Sequence, residues 1–168
     1  EKLNRFTLKL QVNGKPVSLP IERKAVTAFQ GYWTSELLGQ DEQLGLHALI
    51  PGLTSGAIAL RRTIDGTQTL EILDLQARPF LRSTAEGFWV DTTHPWFKNL
   101  GLFVDSKKPI TRTDWGPNWV KASNSAMLTY QDPRLQGQGK PTSTPKPWRI
   151  PVRASGQAQA AHFIGQTQ

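Results

Sequence analysis

Asp91 and His94 are the residues whose types and spacing come nearest to a catalytic or metal-binding motif. A carboxylate and an imidazole three positions apart is a spacing that metal sites use. The sequence offers no recognisable second pair of ligands, and it contains no GxSxG, HExxH, Walker or dinucleotide-binding motif. The pattern favours a loop histidine beside aromatic residues. We therefore predict a protein that is not an enzyme and holds no metal or cofactor, with a metal-dependent hydrolase using Asp91 and His94 as the alternative.

Six tryptophans are the most distinctive set of side chains in the sequence. Three of them, Trp96, Trp115 and Trp119, fall in proline- or glycine-rich loops. The basic residues that flank these loops are Lys98, Lys107, Lys108, Arg112 and Lys121. Aromatic rings beside cations can stack bases next to a phosphate backbone, so this set predicts a nucleic-acid or polyanion site. The absence of an RNP-like or OB-like pattern favours another interpretation, in which the rings cap a small β-domain or bury against a partner subunit.

Trp148 lies in a different setting, residues 145–152, where three prolines favour an extended chain. One large ring in an extended arm is a common anchor in a groove of a partner protein. The residues predicted to contact such a partner are Lys146, Trp148, Arg149, Ile150 and Arg153. The sequence is equally compatible with an arm that folds back, so that Trp148 plugs its own domain.

The net charge of +7 and the isoelectric point near 10.0 favour anionic surroundings: nucleic acid, a membrane surface or an acidic protein. Much of the charge lies near the C-terminus, because residues 131–168 hold five Lys or Arg residues against Asp132 alone. The sequence has no cysteine and no apolar run long enough to span a membrane. It begins at Glu1 without a methionine or a signal-like segment, which favours a processed and exported protein.

The first element that the pattern defines is a hairpin over residues 5–21. Apolar and polar residues alternate strictly between Arg5 and Val12, with the period of a half-buried strand. Asn13-Gly14 is a favoured sequence for a type I′ turn. A two-residue loop pairs Val12 with Lys15 and Phe6 with Ile21, and it makes residues 15–21 an edge strand.

A second hairpin is predicted over residues 57–75, turning at Asp65-Gly66 and placing Ile58 opposite Leu73. Further apolar runs predict short strands, including residues 101–105, and residues 126–130 are interpreted as the last regular strand. About eight short strands without a convincing amphipathic helix predict an all-β fold, a small antiparallel sandwich or barrel.

From Gln131 the composition shifts to Pro, Gly, Gln, Ser and Thr, the bias of a linker or an arm. We therefore divide the chain into an antiparallel β-domain over residues 1–130 and an extended basic C-terminal arm over residues 131–168. This organisation favours a structural or interaction subunit of a larger assembly, such as a secretion, pilus, conjugation or virion-type machine, that docks through the arm. Its partners would be protein subunits, with copies of itself among the candidates. The alternative is a β-module that binds nucleic acid or another polyanion.

Overall fold

The chain forms two compact units, Glu1–Gly31 and Tyr32–Gln168. The structure, a computed structural model, describes residues 4–12, 15–23, 34–51, 56–63, 67–104, 107–137 and 144–168. Across these ranges regular structure consists of β-strands and single turns of 3-10 helix, without an α-helix. None of the helical segments in the described residues has the length and apolar character needed to cross a membrane.

The first unit contains a hairpin of β1 (Asn4–Val12) and β2 (Lys15–Arg23). The strands are antiparallel, and their register pairs Val12 with Lys15 and Phe6 with Ile21. The predicted register is therefore confirmed. Strict alternation explains this success, because a slip of one residue would move every apolar side chain to the other face of the strand. The Asn13-Gly14 turn lies outside the described residues.

The second unit is a sandwich of two antiparallel sheets, which confirms the predicted all-β class. Its strands are β3 (Ser35–Gly39), β4 (Leu46–Leu49), β5 (Ala57–Arg62), β6 (Leu70–Leu73), β7 (Pro79–Thr84), β8 (Gly87–Asp91), β9 (Trp119–Ser123), β10 (Met127–Gln131), β11 (Lys146–Ala154) and β12 (Ala161–Thr167). The larger sheet has seven strands in the order β3-β12-β11-β6-β7-β8-β9, and the smaller has three in the order β10-β5-β4.

The facing surfaces of the two sheets supply one hydrophobic core. The smaller sheet contributes fully buried residues such as Leu60 and Tyr130, and the larger sheet contributes Ile72, Phe88 and Phe163. Burial of an apolar side chain of this size is worth about 1.5–3 kcal/mol, so the core supplies the main favourable term for this unit.

The second predicted hairpin is wrong, because β5 and β6 belong to different sheets. Ile58 in β5 lies opposite Tyr130 of β10, and Ile72 in β6 lies opposite Val152 of β11. Neither segment alternates cleanly between apolar and polar residues, so the pattern did not specify a register. Each strand instead lies between two neighbours and pairs on both of its edges.

The predicted C-terminal arm also differs from the structure. Residues 146–154 and 161–167 are β11 and β12, strands in the interior of the seven-stranded sheet. The physical reason is the alternation inside β11, whose even-numbered residues from Trp148 to Ala154 are buried. Residues 126–130 are therefore not the last regular strand. Pro147 and Pro151 fit because they lie in the part of β11 that pairs with β12 alone, since pairing with β6 starts at Val152.

Candidate functional site

The residues predicted to hold a partner through the C-terminal segment divide between the core and the surface. Trp148 is only 4% exposed and Ile150 is fully buried, both inside the core. Arg149 is exposed on the other side of β11, Lys146 is exposed at the start of the strand, and the Nε of Arg153 donates to Oε2 of Glu71 at 2.9 Å. A ring in the core of its own domain cannot enter a groove on a partner. The predicted anchoring role of Trp148 and Ile150 is therefore corrected, and Trp148 plugs its own domain.

Asp91 and His94 do not form the predicted pair. The Nε2 of His94 lies 3.0 Å from Oδ2 of Asp74, while Oδ1 of Asp91 accepts from the backbone and hydroxyl of Thr93. The backbone N–H of Trp96 donates to Nδ1 of His94 at 3.2 Å, so the proton of the neutral ring is on Nε2 and is donated to Asp74. Both ring nitrogens are thus used within the fold, and the described residues contain no group of three His, Asp or Glu side chains that could hold a metal ion.

Asp74 is the buried acceptor at the centre of this contact. Burial by itself would raise the pKa of Asp74, but hydrogen bonds from the backbone N–H of Arg78, from His94, from the Arg78 side chain and from the backbone N–H of Gln76 lower it to about 2. The carboxylate therefore remains ionised where the loop over residues 74–78 closes against His94. Its role in this arrangement is to hold two loops together.

Trp96 lies beside this contact and apart from Trp115 and Trp119; Trp119 is the first residue of β9 and not, as predicted, part of a loop. Its ring packs against Phe80 and His94, and the guanidinium of Arg134 lies 5.0 Å above it. Arg134 is in turn paired with the buried carboxylate of Asp132 at 2.6 Å. These contacts assign Trp96 to a partly buried polar network rather than to the predicted polyanion site.

Four of the predicted polyanion residues do come together: Arg112, Trp115, Trp119 and Lys121. With Arg82 and Trp89, which the sequence did not single out, they form what we call the tryptophan cluster. The ring of Trp115 meets those of Trp89 and Trp119 edge-on, with centroids 5.9 and 5.8 Å apart. The guanidinium of Arg82 lies over Trp115 and Trp119 at 4.7 and 4.3 Å. The cluster therefore alternates rings and cations, each stabilising the next.

In the larger sheet, the tryptophan cluster lies at one end of a row of residues that are directly opposed on adjacent strands. Adjacent strands carry Arg153, Glu71, Arg82, Trp89 and Lys121 at directly opposed positions. Glu71 is buried and accepts from both neighbouring arginines. Arg112 pairs with Asp114 and Glu86. The acidic side chains thus neutralise much of the positive charge of the cluster, and its own cations already lie over faces of its rings.

A separate apolar cleft lies between the 97–104 segment and the outer edge of β9; we call it the Phe103 cleft. It has a volume of about 500 Å³ and is lined by Thr92, Phe97, Leu102, Phe103, Val104, Pro109, Thr111, Pro117 and Val120. The Phe103 side chain is 87% exposed. The predicted strand over residues 101–105 is not found in the described residues 101–104, and the chain there is irregular. The apolar run of this segment predicted a strand, although the segment in fact presents an aromatic ring to solvent.

A second, more polar cavity of about 410 Å³ lies beside the start of β6, the end of β11 and the start of β12. Its lining residues include four glutamines, Gln43, Gln68, Gln157 and Gln159, together with Asp41 and Arg153. No catalytic carboxylate pair or nucleophile with an adjacent base is found among these lining residues.

The fold and its surfaces define an antiparallel β-sandwich with an apolar cleft at one edge. Comparisons with protein-family models, with curated proteins and with solved structures found no match.

Proposed function

We propose that this chain is a non-catalytic interaction domain of a larger protein assembly. The observation that carries the proposal is the exposed ring of Phe103 beside an apolar cleft. Burying a phenylalanine side chain is worth about 1.5–3 kcal/mol, so leaving it in water forgoes stability that a partner can supply. Contiguous exposed apolar surface of this kind is typical of protein contact sites.

The neighbouring segment extends this surface. Ile110 is also largely exposed, and its backbone carbonyl accepts from the N–H of Lys121 at the outer edge of β9. Ile110 is thus presented on a segment that is hydrogen-bonded to the sheet. A surface held in place in this way loses little conformational entropy when a partner binds.

The hydrolase alternative receives no support from the positions of its residues. Asp91 bonds within its own turn, and both nitrogens of His94 bond elsewhere. A general base must reach the proton that it abstracts, and this histidine is buried with its two nitrogens in use.

The polyanion-binding alternative rests on the tryptophan cluster, and it is less well supported than the interaction domain. Bases stack on open aromatic faces beside unpaired cations. Here Arg82 covers Trp115 and Trp119, and Arg112 is engaged by Asp114 and Glu86. The ring and cation contacts of the cluster therefore support a structural role, in which they hold the 112–118 loop against the sheet.

The proposal is tested by the native mass of the complex that the chain forms in its host cells. We would express tagged wild type, Phe103→Ser and Leu38→Ser, and measure sedimentation of each in a gently prepared extract. Leu38 is a matched control, because it is 57% exposed and lies on β3, at the other edge of the larger sheet. Six strand spacings of about 4.8 Å separate these edges by about 29 Å.

We expect wild type and Leu38→Ser to sediment in a complex heavier than the 18.7 kDa chain, and Phe103→Ser to lose that complex at least tenfold. Sedimentation of the purified chain over a range of concentrations distinguishes copies of itself from other subunits. A monomeric wild-type chain in the extract, or a complex that Phe103→Ser leaves intact, would overturn the proposal.

A further inference from the structure

We infer that the Phe103 cleft binds an acidic segment of a partner protein that carries a large apolar side chain. This inference rests on the proposed function and adds to it the chemistry of the partner. It follows from the cleft's walls, from the charges at its rim and from the hydrogen bonds along the edge of β9.

The walls of the cleft select for an apolar group. Seven of the nine lining residues are apolar, and the other two, Thr92 and Thr111, have hydroxyl groups. A volume of about 500 Å³ lies within the range of about 300–1,000 Å³ that is typical of sites enclosing a compact group. The cleft therefore has room for one or two side chains, in an environment that penalises a charged group.

The rim of the cleft is basic. Three exposed lysines adjoin the lining residues in the chain: Lys98 follows Phe97, and Lys107 and Lys108 precede Pro109. Residues 97–121 carry five Lys or Arg residues against two Asp residues. Arg112 and Asp114 form an ion pair and cancel each other, which leaves four lysines against Asp105, and Asp105 lies outside the described residues.

An acidic residue also adjoins the wall at Asp91, next to Thr92. Its Oδ1 accepts from the backbone N–H and the hydroxyl of Thr93, at 2.9 and 2.6 Å. The positive residues outnumber the negative ones around the cleft even when Asp91 is counted. Electrostatic complementarity therefore favours carboxylates on the partner, placed on both sides of the inserted side chain.

The hydrogen bonds along the edge of β9 limit how such a segment can bind. The backbone N–H of Lys121 donates to the carbonyl of Ile110, and the N–H of Arg112 donates to the carbonyl of Trp119. The chain's own 110–112 segment thus occupies this part of the edge, and an incoming peptide cannot add a strand there. Recognition must come from a side chain placed in the cleft and from charges at the rim.

Protein is favoured over nucleic acid as the occupant. A phosphate backbone needs a continuous basic track with open aromatic faces, whereas this site is a compact apolar cleft with a few lysines at its rim. Lysine acts as a point charge and can pair with a carboxylate without the fixed geometry that arginine imposes. The tryptophan cluster is a different surface, and Arg82 and Arg112 already lie over the ring of Trp115 there.

The test uses defined peptides and fluorescence anisotropy with the full chain. The probes are labelled seven-residue peptides in which Phe, Leu or Trp is flanked by three acidic residues on each side. Three reference probes are the same peptide with central Ala, the same peptide with lysines in place of the acids, and a short oligothymidylate. Each is titrated at low and at physiological salt.

We expect at least one acidic peptide with an apolar centre to bind, and the central-Ala and lysine probes to bind at least tenfold more weakly. Phe103→Ala should weaken binding about tenfold, and Lys98→Glu about threefold at low salt, with the lysine effect reduced by added salt. Leu38→Ser and Arg149→Glu are controls for lost apolar area and for reversed charge at exposed positions, and both should bind as wild type does.

Failure of all three acidic peptides to bind, binding that Phe103→Ala leaves unchanged, or preferential binding of the oligothymidylate would overturn the inference. Its failure is distinguishable from failure of the proposed function. If the native complex requires Phe103 but no acidic peptide binds, the interaction domain stands and the partner chemistry is wrong. If the native complex is absent as well, both are wrong.

Discussion

The indole of Trp148 lies directly over Gly165, its opposite residue on the neighbouring strand β12. A Cβ placed on Gly165 would overlap the Trp148 ring and the backbone carbonyl of Glu36. The absence of a side chain at Gly165 therefore leaves the space that the Trp148 ring occupies. This one contact joins β11, β12 and β3, and it ties the C-terminal residues to the sandwich.

Gly165→Ala should destabilise the second unit by about 1–3 kcal/mol, because the added methyl group must displace backbone as well as the ring. Gly39→Ala is the matched control, since Gly39 lies on the adjacent strand β3 and a Cβ there meets no atom within 4 Å. Its effect should stay within about 0.5 kcal/mol. Urea unfolding followed by far-UV circular dichroism measures both, and equal stability of the two variants would contradict the packing argument.

The prediction of an arm failed for a physical reason that is visible in β11. Prolines at 145, 147 and 151 favour an extended arm, but they leave the alternation of Trp148, Ile150, Val152 and Ala154 intact. A proline is excluded only where its N–H must pair, and this strand has one unpaired edge over most of its length. The alternation of apolar residues therefore predicts β11 better than the proline-rich composition of the segment does.

The register of the first hairpin could be predicted from the sequence, whereas the tryptophan cluster could not. The hairpin follows from residues close in sequence, and its register was obtained from them. The cluster depends on Arg82, Trp89 and Lys121 lying side by side on three strands. Trp115 then closes over them from a loop. Such a cluster requires the order of strands in the sheet, and local periodicity carries no information about that order.

Asp74→Asn should make stability depend less on pH. The folded state lowers the pKa of Asp74 from 3.8 to about 2, a change worth about 2 kcal/mol. Because the folded value lies below the unfolded one, this contribution is present above about pH 4 and is lost as the pH falls toward 2. The variant should therefore be less stable than wild type by about 2 kcal/mol at pH 6, and the difference should shrink to below about 1 kcal/mol near pH 2.

Urea unfolding of both proteins at several pH values measures this difference. Asp91→Asn is the control, since the Asp91 carboxylate accepts from the backbone N–H and the hydroxyl of Thr93 in an exposed turn. It should cost about 1 kcal/mol or less. A stability difference for Asp74→Asn that is the same at pH 6 and pH 2 would mean that the buried carboxylate does not act through its charge.

Trp115→Ala should destabilise the second unit by about 2 kcal/mol, because it removes two edge-on aromatic pairs and the stacking of Arg82 and Arg112. Trp115→Phe keeps a ring in place and should recover about half of that loss. Binding of a short oligothymidylate should be weak and equal in all three proteins. If Trp115→Ala remains as stable as wild type but loses oligothymidylate binding, the cluster is a binding site and not a structural device.

Glu71→Gln should be among the most destabilising isosteric changes on the larger sheet, with a cost of about 3 kcal/mol. Glu71 is buried, its Oε1 accepts from Arg82 at 2.8 Å, and its Oε2 accepts from Arg153 at 2.9 Å. Glutamine keeps the shape of the side chain, but it leaves two partly buried guanidinium groups without a counter-charge and turns an amide donor toward one of them. Urea unfolding at neutral pH measures the loss.

The control for this change is Glu86→Gln, which removes an exposed carboxylate that contacts Arg112 at 3.5 Å. Exposed pairs of this kind contribute about 0–1 kcal/mol, so its effect should be small. Comparable losses in the two variants would show that Glu71 gains nothing from its position between Arg82 and Arg153. A large loss for Glu71→Gln alone would mean that the row of opposed residues across β11, β6 and β7 depends on one buried charge. The tryptophan cluster at the end of that row would then depend on it too, since the same carboxylate holds Arg82 in place between Trp115 and Trp119.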